Sequence, residues 1–506
     1  MKLSELIKNV KVKNIINGKD IAKDIEITGV SYNSKTIRKG EIFVCLKGEH
    51  SDGHDYAKMA VENGAAALFC EKELPFEIPQ IIVESTRHQI ADIAAAFYGY
   101  PSKKINLIGV TGTNGKTTVT HLIQRIVEEA KPNQGGCALI GTLGYKLSNK
   151  DTYHDAKHTT PQAPELQKTL KMICEEKINY VAMEVSSHAL EQNRAGGCDF
   201  DGAVYTNLTQ DHLDYHITMN NYFEAKALLF RGLKKGGFAV INNDDEYAEK
   251  FKSVVPDGVK VYTYGIKNNA DITASDIDFS IHGAKFNCKI PSLRNSESPA
   301  KSVQDSKTIP VNLQMNGMFS VYNALAALTA GIAMGFDADV CIKALEETKS
   351  VDGRFEIVNK KPLVIVDYAH TPDGLENVLK AARELTPKDS NLVCMFGCGG
   401  DRDATKRPKM GKIADENADI VVVTSDNPRS EDPQLIISDI LAGIKSVNTQ
   451  KVYVEPDRRT AISMLKNIAK ENDVVVLAGK GHEDYQILKD ETIHFDDREE
   501  ARKVFN

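Results

Sequence analysis

Ile105-Asn106-Leu107-Ile108-Gly109-Val110-Thr111-Gly112-Thr113-Asn114-Gly115-Lys116-Thr117-Thr118 runs from a short apolar segment through a glycine-rich turn into an amphipathic segment. That is the order of a strand, a phosphate loop and a helix. Gly112 and Gly115 let the backbone turn with its N–H groups inward, and the helix that follows presents its positive N-terminus to the same spot. A polyphosphate fits there. In such a loop Lys116 supplies a point charge to the β- and γ-phosphates, and the Thr117 hydroxyl ligates Mg²⁺. The chain departs from the strict pattern by one residue, carrying Val110 where a glycine would stand, and reads Gly109-x-x-Gly112-x-x-Gly115-Lys116-Thr117.

At 506 residues the chain exceeds what one hydrophobic core supports, and about three domains are expected. Hydrophobic residues at 42%, charged residues at 26% and a formal charge of -7 exclude a disordered or strongly basic protein. They argue against nucleic acid and for small-molecule partners. Nine cysteines with no Cys-x-x-Cys pair give no disulfide framework; Cys394 and Cys398 read as buried thiols, and a reducing cytoplasm is the expected compartment. Met1 to Asp20 is broken every few residues by Lys, Glu, Asn or Asp, so neither a signal peptide nor membrane insertion is expected.

Residues 1–103 read as a small α/β domain, with a strand over Glu41 to Leu46, a helix over Tyr56 to Asn63 ended at Gly64, and a helix over Ile90 to Phe97. Its loops Ser31-Tyr32-Asn33-Ser34-Lys35 and Gly48-Glu49-His50-Ser51-Asp52-Gly53 suit a polar ligand, or are simply solvated. Residues 104–348 keep placing polar residues directly after apolar runs, the habit of parallel sheets whose strand ends face a ligand crevice. The run Tyr180 to Glu184 puts Glu184 where a second acidic Mg²⁺ ligand is expected, or leaves it as a strand-end glutamate in water. After Ala203 to Leu208 comes Asp211-His212-Leu213-Asp214-Tyr215-His216, whose spacing permits but does not prove metal ligation. Lys226, among Ala, Leu and Phe in a helix over Tyr222 to Phe230, reads from pattern alone as a surface lysine. Ile277, Phe279 and Ile281 alternate with polar residues and Ser292 to Lys307 lacks periodicity, so a hairpin with a long loop is expected there. An alanine-rich helix then runs to Met334, capped by Gly335.

Residues 349–506 hold four apolar runs at helical separations, Leu363 to Val366, Leu392 to Phe396, Ile420 to Val423 and Val474 to Ala478. This is the pattern of a parallel sheet buried on both faces. Each run ends in reactive residues: Asp367-Tyr368-Ala369-His370, Gly397 to Asp403, Asp426-Asn427-Pro428-Arg429 and Gly479 to Tyr485. Four such ends on one sheet edge make a binding crevice.

The run Gly109 to Thr118, Glu184-Val185-Ser186-Ser187-His188, Asp211 to His216, Ala225-Lys226, Gly353-Arg354, Asp367 to His370 and Asp426 to Arg429 together resemble the Mur ligases of peptidoglycan synthesis, over essentially the whole chain. The resemblance is strongest to the member that adds the third residue of the cell-wall peptide. It implies an α/β fold of three domains: a small N-terminal domain holding the UDP end (1–103), a central P-loop ATPase-type parallel sheet binding ATP and Mg²⁺ (104–348), and a C-terminal Rossmann-like sheet bringing the amino acid (349–506). The implied activity is ATP-dependent addition of meso-diaminopimelate to UDP-N-acetylmuramoyl-L-alanyl-D-glutamate through an acyl phosphate, by a monomer. L-lysine as the added residue, and a folylpolyglutamate synthetase that shares the ATP domain, are the rival assignments.

By matching positions, the resemblance gives Lys116, Glu184, His212 and Lys226 to catalysis. Thr117, Glu184, His212 and a CO₂-carbamylated Lys226 would serve as the metal set. ATP is met by Gly112, Thr113, Asn114, Gly115, Lys116, Thr117, Thr118, Asn323, Arg354 and Asp367. The UDP-sugar dipeptide is met by Ser34, Thr159, Thr160, Ser186, Gln192 and Arg194. The amino acid is met by Arg402, Asp426, Asn427, Pro428, Arg429, Gly479 and Glu483. The chain departs from the family pattern at Asn33, Lys35, His158 and Ser320.

Overall fold

The computed structural model describes residues 1–506 except 9, 19–24, 49–50, 133–134, 149–150, 155–157, 292–305, 448 and 506. Glu49 and His50 of the first domain's polar loop, and most of the aperiodic stretch from Ser292, therefore lie outside the described residues. Among those described, the strands form sheets of five, ten, six and two strands.

The first sheet pairs Val30–Ser31, Ile42–Val44, Ala67–Cys70 and Gln80–Val83 in parallel, with Val12–Ile16 antiparallel at one edge. Its helix Thr86–Phe97 starts a turn before the expected Ile90, because Ser85 Oγ accepts from the His88 N–H and caps it.

The phosphate-loop strand Asn106–Thr111 lies inside the ten-stranded sheet, parallel to Tyr180–Glu184 on one side and Phe200–Tyr205 on the other. Val110 pairs with Glu184 and Thr111 with Tyr205, so the loop emerges between those two strand ends. Helices Lys116–Ala130 and Met318–Ala333 cover one face, while Ala163–Glu175 and Met219–Arg231 cover the other. Gly109 belongs to this packing and not to phosphate binding. A Cβ there would stand 2.9 Å from both Leu229 and Phe200, so only glycine lets the helix approach the strand.

The expected hairpin is instead three antiparallel strands, Ile272–Ser280, Gly283–Pro291 and Ser306–Asn312. Ile281 falls in the turn and is exposed, because the alternation that begins at Ile277 stops at Ser280.

In the third sheet, Leu363–Asp367, Val474–Ala478, Leu392–Phe396 and Ile420–Val423 are parallel neighbours in that spatial order. The run latest in sequence thus sits between the first two. Glu356–Lys360 adds an antiparallel edge and Val452–Val454 a parallel one. Helices Pro372–Glu384, Arg407–Asn417 and Pro433–Leu441 bury one face, and Arg458–Ile468 with Asp497–Phe505 bury the other. Burial on both faces is why these strands read as unbroken apolar runs.

Candidate active site

The loop is threaded so closely that its glycines are obligatory. At Gly112, with φ +152°, a Cβ would stand 1.8 Å from Thr206 Oγ1; at Gly115, with φ +87°, it would stand 2.5 Å from Asn323 Oδ1. Asn207 pins the loop, its carbonyl accepting from Thr113 N–H (2.8 Å) and its Oδ1 from Asn114 N–H (2.9 Å). Lys116 curls back, donating to the carbonyls of Gly112 (2.9 Å) and Thr113 (2.8 Å). Burial lowers its ammonium pKa, against the pull of Glu184 and Asp211.

Thr117 Oγ1 is the meeting point of three elements. It donates to Glu184 Oε2 at 3.0 Å and accepts from the Arg354 guanidinium at 3.0 Å. Glu184 is buried at its strand end and also accepts from Thr142 N–H (2.9 Å) and Thr142 Oγ1 (3.1 Å). The solvated alternative for Glu184 is therefore excluded.

Lys226 is not on the surface. It is 1% exposed, and its Nζ donates to the Gly112 carbonyl at 2.9 Å, the same oxygen that Lys116 holds. Tyr222, Lys226 and Phe230 follow at four-residue intervals on the buried face of their helix, so helical periodicity itself carried the signal that a lysine stood on a core stripe. Burial first, then the positive charge of Lys116, pulls the Lys226 ammonium well below its ordinary pKa.

In the Asp211 to His216 loop the two histidines divide. His216 is anchored inward by Ser187 Oγ (2.9 Å) and Glu191 Oε2 (3.2 Å). His212, at φ +54°, pairs with Asp211 (3.2 Å) and lines the cleft beside Glu184. Ile217, which ends this loop at φ +67°, is 74% exposed, and the Thr218 N–H closes a three-residue turn onto the His216 carbonyl (2.7 Å).

The cleft holds about 500 Å³ and is walled by two sheets: the phosphate loop, Glu184 and Asn323 on one side, and Arg354, Asp367, His370 and Asp373 of the third sheet on the other. That volume suits a small-molecule ligand. Asn114 Nδ2 crosses it to Asp373 Oδ2 (2.8 Å) and Lys409 reaches Gln210 (2.6 Å). Asp367 accepts from Phe355 and Ala369 N–H (2.7 Å each), fixing the turn that aims Arg354, and burial raises its carboxyl pKa. The far end of the cleft was not foreseen. Asn242, Asp244 and Tyr322 line it, with Tyr322 donating to Asp244 (2.7 Å). The apolar run before Asn242 ends in polar residues just as the run before Glu184 does, which is the signal that could have found it.

No group of three or more His, Cys, Asp or Glu that could hold a metal occurs among the described residues. Thr117 and Glu184 still suit Mg²⁺, which is commonly held by one or two carboxylates, with water and phosphate oxygens completing its shell.

Thr159, Thr160, Ser186, Gln192 and Arg194 are brought together. Thr160 Oγ1 donates to the Glu184 carbonyl (2.9 Å) and accepts from Ser186 N–H (3.1 Å), and Thr159 meets Thr142 (3.1 Å). Arg194 donates to the Thr160 carbonyl (3.2 Å) and to Gln192 Oε1 (2.7 Å). Ser34 stands instead on the first domain, buried, its carbonyl accepting from Asn63 (2.8 Å).

At the edge of the third sheet, Asp426 and Asn427 are buried and Asn427 Nδ2 donates to Glu483 Oε2 (2.9 Å). Arg429, at φ +53° after Pro428, donates to the Gly400 carbonyl (2.8 Å), and Arg402 is exposed beside it. Burial and the charge of Arg402 lower the Arg429 pKa. Tyr368, which stacks under Arg354 (4.3 Å) in the cleft, also packs on His482 (4.9 Å), so this pocket adjoins the cleft. Sequence reasoning placed Lys480 in a reactive strand end without giving it a role and missed Arg458; both are fully buried here. Arg458 pairs with Asp497 (2.6 Å) and donates to the carbonyls of Ser425 (3.3 Å) and Ala478 (3.0 Å), tying two strand ends together.

Three family models match the chain: Mur ligase family, catalytic domain, over residues 26–98; Mur ligase middle domain over 110–331; and Mur ligase, glutamate ligase domain, over 353–481. A protein of Bacillus velezensis named UDP-N-acetylmuramoyl-L-alanyl-D-glutamate--2,6-diaminopimelate ligase is 45% identical, the match covering 100% of this chain and 99% of that protein. One of the same name from Syntrophomonas wolfei is 43% identical with the same coverage. A solved structure of a protein with that name superposes with a TM-score of 0.67 at 34% identity, covering 100% of this chain and 98% of the other. Mycobacterium tuberculosis folylpolyglutamate synthase shares the fold alone, with a TM-score of 0.62 at 16% identity over 78% of this chain and 92% of its own.

Proposed function

The chain belongs to the Mur ligase family, and from that premise we propose that it adds meso-diaminopimelate to UDP-N-acetylmuramoyl-L-alanyl-D-glutamate. It is an ATP-dependent amide ligase of peptidoglycan precursor synthesis. A carboxylate is a poor electrophile, so its oxygen first takes the terminal phosphoryl group of ATP, and ADP leaves. The amine nitrogen then attacks the acyl carbon, phosphate departs, and the nitrogen loses a proton.

The observation that carries this reading is the convergence on Thr117. The loop, the strand end at Glu184 and Arg354 of the third sheet meet within 3.0 Å contacts, with the pocket of Asp426, Asn427 and Glu483 adjoining. Lys116 and Arg354 neutralise charge as the phosphoryl group moves, a form of stabilisation worth several kcal/mol per group in a dry site, roughly 3–4 for one well-aimed donor. Thr117 and Glu184 would hold one Mg²⁺ and His212 a second, with a carbamylated Lys226 in the same metal set, and the ions would supply further charge neutralisation. Asp426, Asn427, Gly479 and Glu483 receive the distal ammonium of the amino acid, and Arg402 and Arg429 its carboxylates, with Pro428 setting the turn.

Lys226 is proposed to carry a carbamate. Two ammonium groups converging on the Gly112 carbonyl is an unfavourable state, and it is relieved when Lys226 is a neutral amine. That amine attacks the carbon of CO₂, forms an N–C bond and loses a proton, leaving an anion beside Lys116. The proposed domains are 1–103 for the UDP end, 104–348 for ATP and 349–506 for the amino acid. One chain supplies all three, which supports a monomer. Among the described residues no helix is long and apolar enough to cross a membrane; the nine free thiols suit the cytoplasm, where this reading places the enzyme.

The test is ADP release with ATP and the UDP-dipeptide against a panel of amino acids. Release should require both co-substrates and be fastest with meso-diaminopimelate. A preference for L-lysine would overturn the substrate, and release with a folate acceptor would overturn the reading altogether.

A further inference from the structure

Lys480 lies just beyond the strand Val474–Ala478 with its side chain 0% exposed, yet no step of the ligation requires it. Its Nζ donates to the Tyr485 carbonyl (2.7 Å), Asn427 Oδ1 (3.1 Å) and Glu483 Oε2 (3.3 Å), and stands 3.4 Å from Asp426 Oδ1. An ammonium taken out of water is held only by such partners. The reverse dependence is as strong, because Asp426 and Glu483 are two carboxylates in one desolvated pocket. Burial, and then the charge of Asp426, raise the Glu483 pKa. Asp426 Oδ1 is buried with no hydrogen-bond partner. Its Oδ2 stands over Gly479, whose φ of +114° and lack of a side chain leave the backbone in ordinary contact with that carboxylate, a Cβ there falling 3.7 Å from Oδ2. Acceptor capacity is left over on Asp426.

We propose that Lys480 is a positioning residue that sets the charge of the amino-acid pocket, cancelling one of the two carboxylates so that a single negative charge meets the single distal ammonium of the substrate, given that this pocket takes the amino acid as proposed above. By bonding both Asn427 Oδ1 and Glu483 Oε2, it also fixes the orientation in which that pair receives the ammonium. Arg429 serves the substrate's carboxylate separately.

The experiment is amino-acid saturation of the full-length parent, Lys480→Met, Glu483→Gln and the double variant, with thermal melts confirming each fold. Lys480→Met should raise KM for diaminopimelate about tenfold to a hundredfold while KM for ATP and the UDP-dipeptide moves less than about twofold. The double variant restores a single negative charge. It should bind the amino acid at least about threefold better than either single variant, a recovery that a merely structural lysine would not produce. If Lys480→Met does not fold, the comparison of the double variant with Glu483→Gln decides alone. An unchanged KM in Lys480→Met, an equal rise in all three KM values, or no recovery in the double variant overturns the proposal. A parent that prefers L-lysine but shows the same pattern supports it while refuting the substrate, since both amino acids carry the distal ammonium. ADP release independent of any amino acid refutes the ligase reading and this proposal with it.

Discussion

Lys226 and Lys480 are both buried to within 1% of complete exclusion from solvent, one against the phosphate loop and the other just beyond a strand end of the third sheet. Lys226 is buried and donates to a carbonyl already held by Lys116, and burial together with that like charge favours its neutral amine. Lys480 instead has opposite charges beside it, Glu483 at 3.3 Å and Asp426 at 3.4 Å. Burial alone therefore does not assign a lysine's work. What separates the two is the sign of the charge that burial traps beside each: a like charge beside Lys226, on which the proposed carbamate rests, and opposite charges beside Lys480, on which its proposed role as a counter-ion rests.

The contrast can be broken most directly at Lys226. Lys226→Ala should lower kcat by about a hundredfold to a thousandfold, as for loss of a principal electrostatic group, with partial recovery on adding formate or acetate. Lys480→Met should show no such rescue. Rescue of both variants by carboxylate, or of neither, would erase the distinction, and density for a bare ammonium at Lys226 beside bound nucleotide would refute the carbamate.

A smaller effect sharpens the other pole. In the proposed assignment Arg429 answers the carboxylate that diaminopimelate carries and lysine lacks, and a guanidinium left without that partner costs roughly 1.5–3 kcal/mol, about tenfold to a hundredfold in selectivity. Arg429→Ala should collapse the ratio of kcat/KM for meso-diaminopimelate over L-lysine toward unity. A retained ratio would move the specificity elsewhere, and would leave Lys480 as the pocket's governing cation.

The smallest effect concerns the entry to the helix that carries Lys226. Ile217 is a β-branched residue in a backbone region that suits glycine, a strain of about 1–3 kcal/mol. Ile217→Gly should stabilise the fold by about 1 kcal/mol once the extra chain entropy of glycine is subtracted, seen as a higher denaturant midpoint with kcat unchanged. A lower midpoint would mean the strain is absent. A lower kcat at higher stability would mean it holds His212 against the Lys226 side.

Much of this was legible in the sequence wherever local pattern decides structure. The four apolar runs of the third sheet, their reactive ends and the loop at Gly112 to Thr118 follow from strand periodicity and from the habit of parallel sheets. What escaped was non-local. Lys480 lies between two glycines, and although Glu483 is three residues on, its partners Asn427 and Asp426 are 53 and 54 residues away, so nothing local marks it as buried. Lys226 was hidden for a different reason: a cation on a helix reads as solvated until the residues four before and four after it are seen to be core. Gly109 looked like part of a phosphate motif because sequence spacing does not distinguish a glycine needed for a turn from one needed for close packing.

The strand order of the third sheet sets a timetable for synthesis. Val474–Ala478 pairs with Leu363–Asp367 on one side and Leu392–Phe396 on the other, so those earlier strands have no common neighbour until the chain is almost finished. On the ribosome, where domains close in the order they emerge, the first two sheets can be complete while the third still lacks its middle. The nascent chain thus completes the phosphate loop and the strand end at Glu184 before it acquires Lys480 and Glu483. Any transcript or proteolytic product ending short of residue 474 would carry the phosphate loop beside an incomplete third sheet with exposed edges, a species prone to pair with others through its open strands.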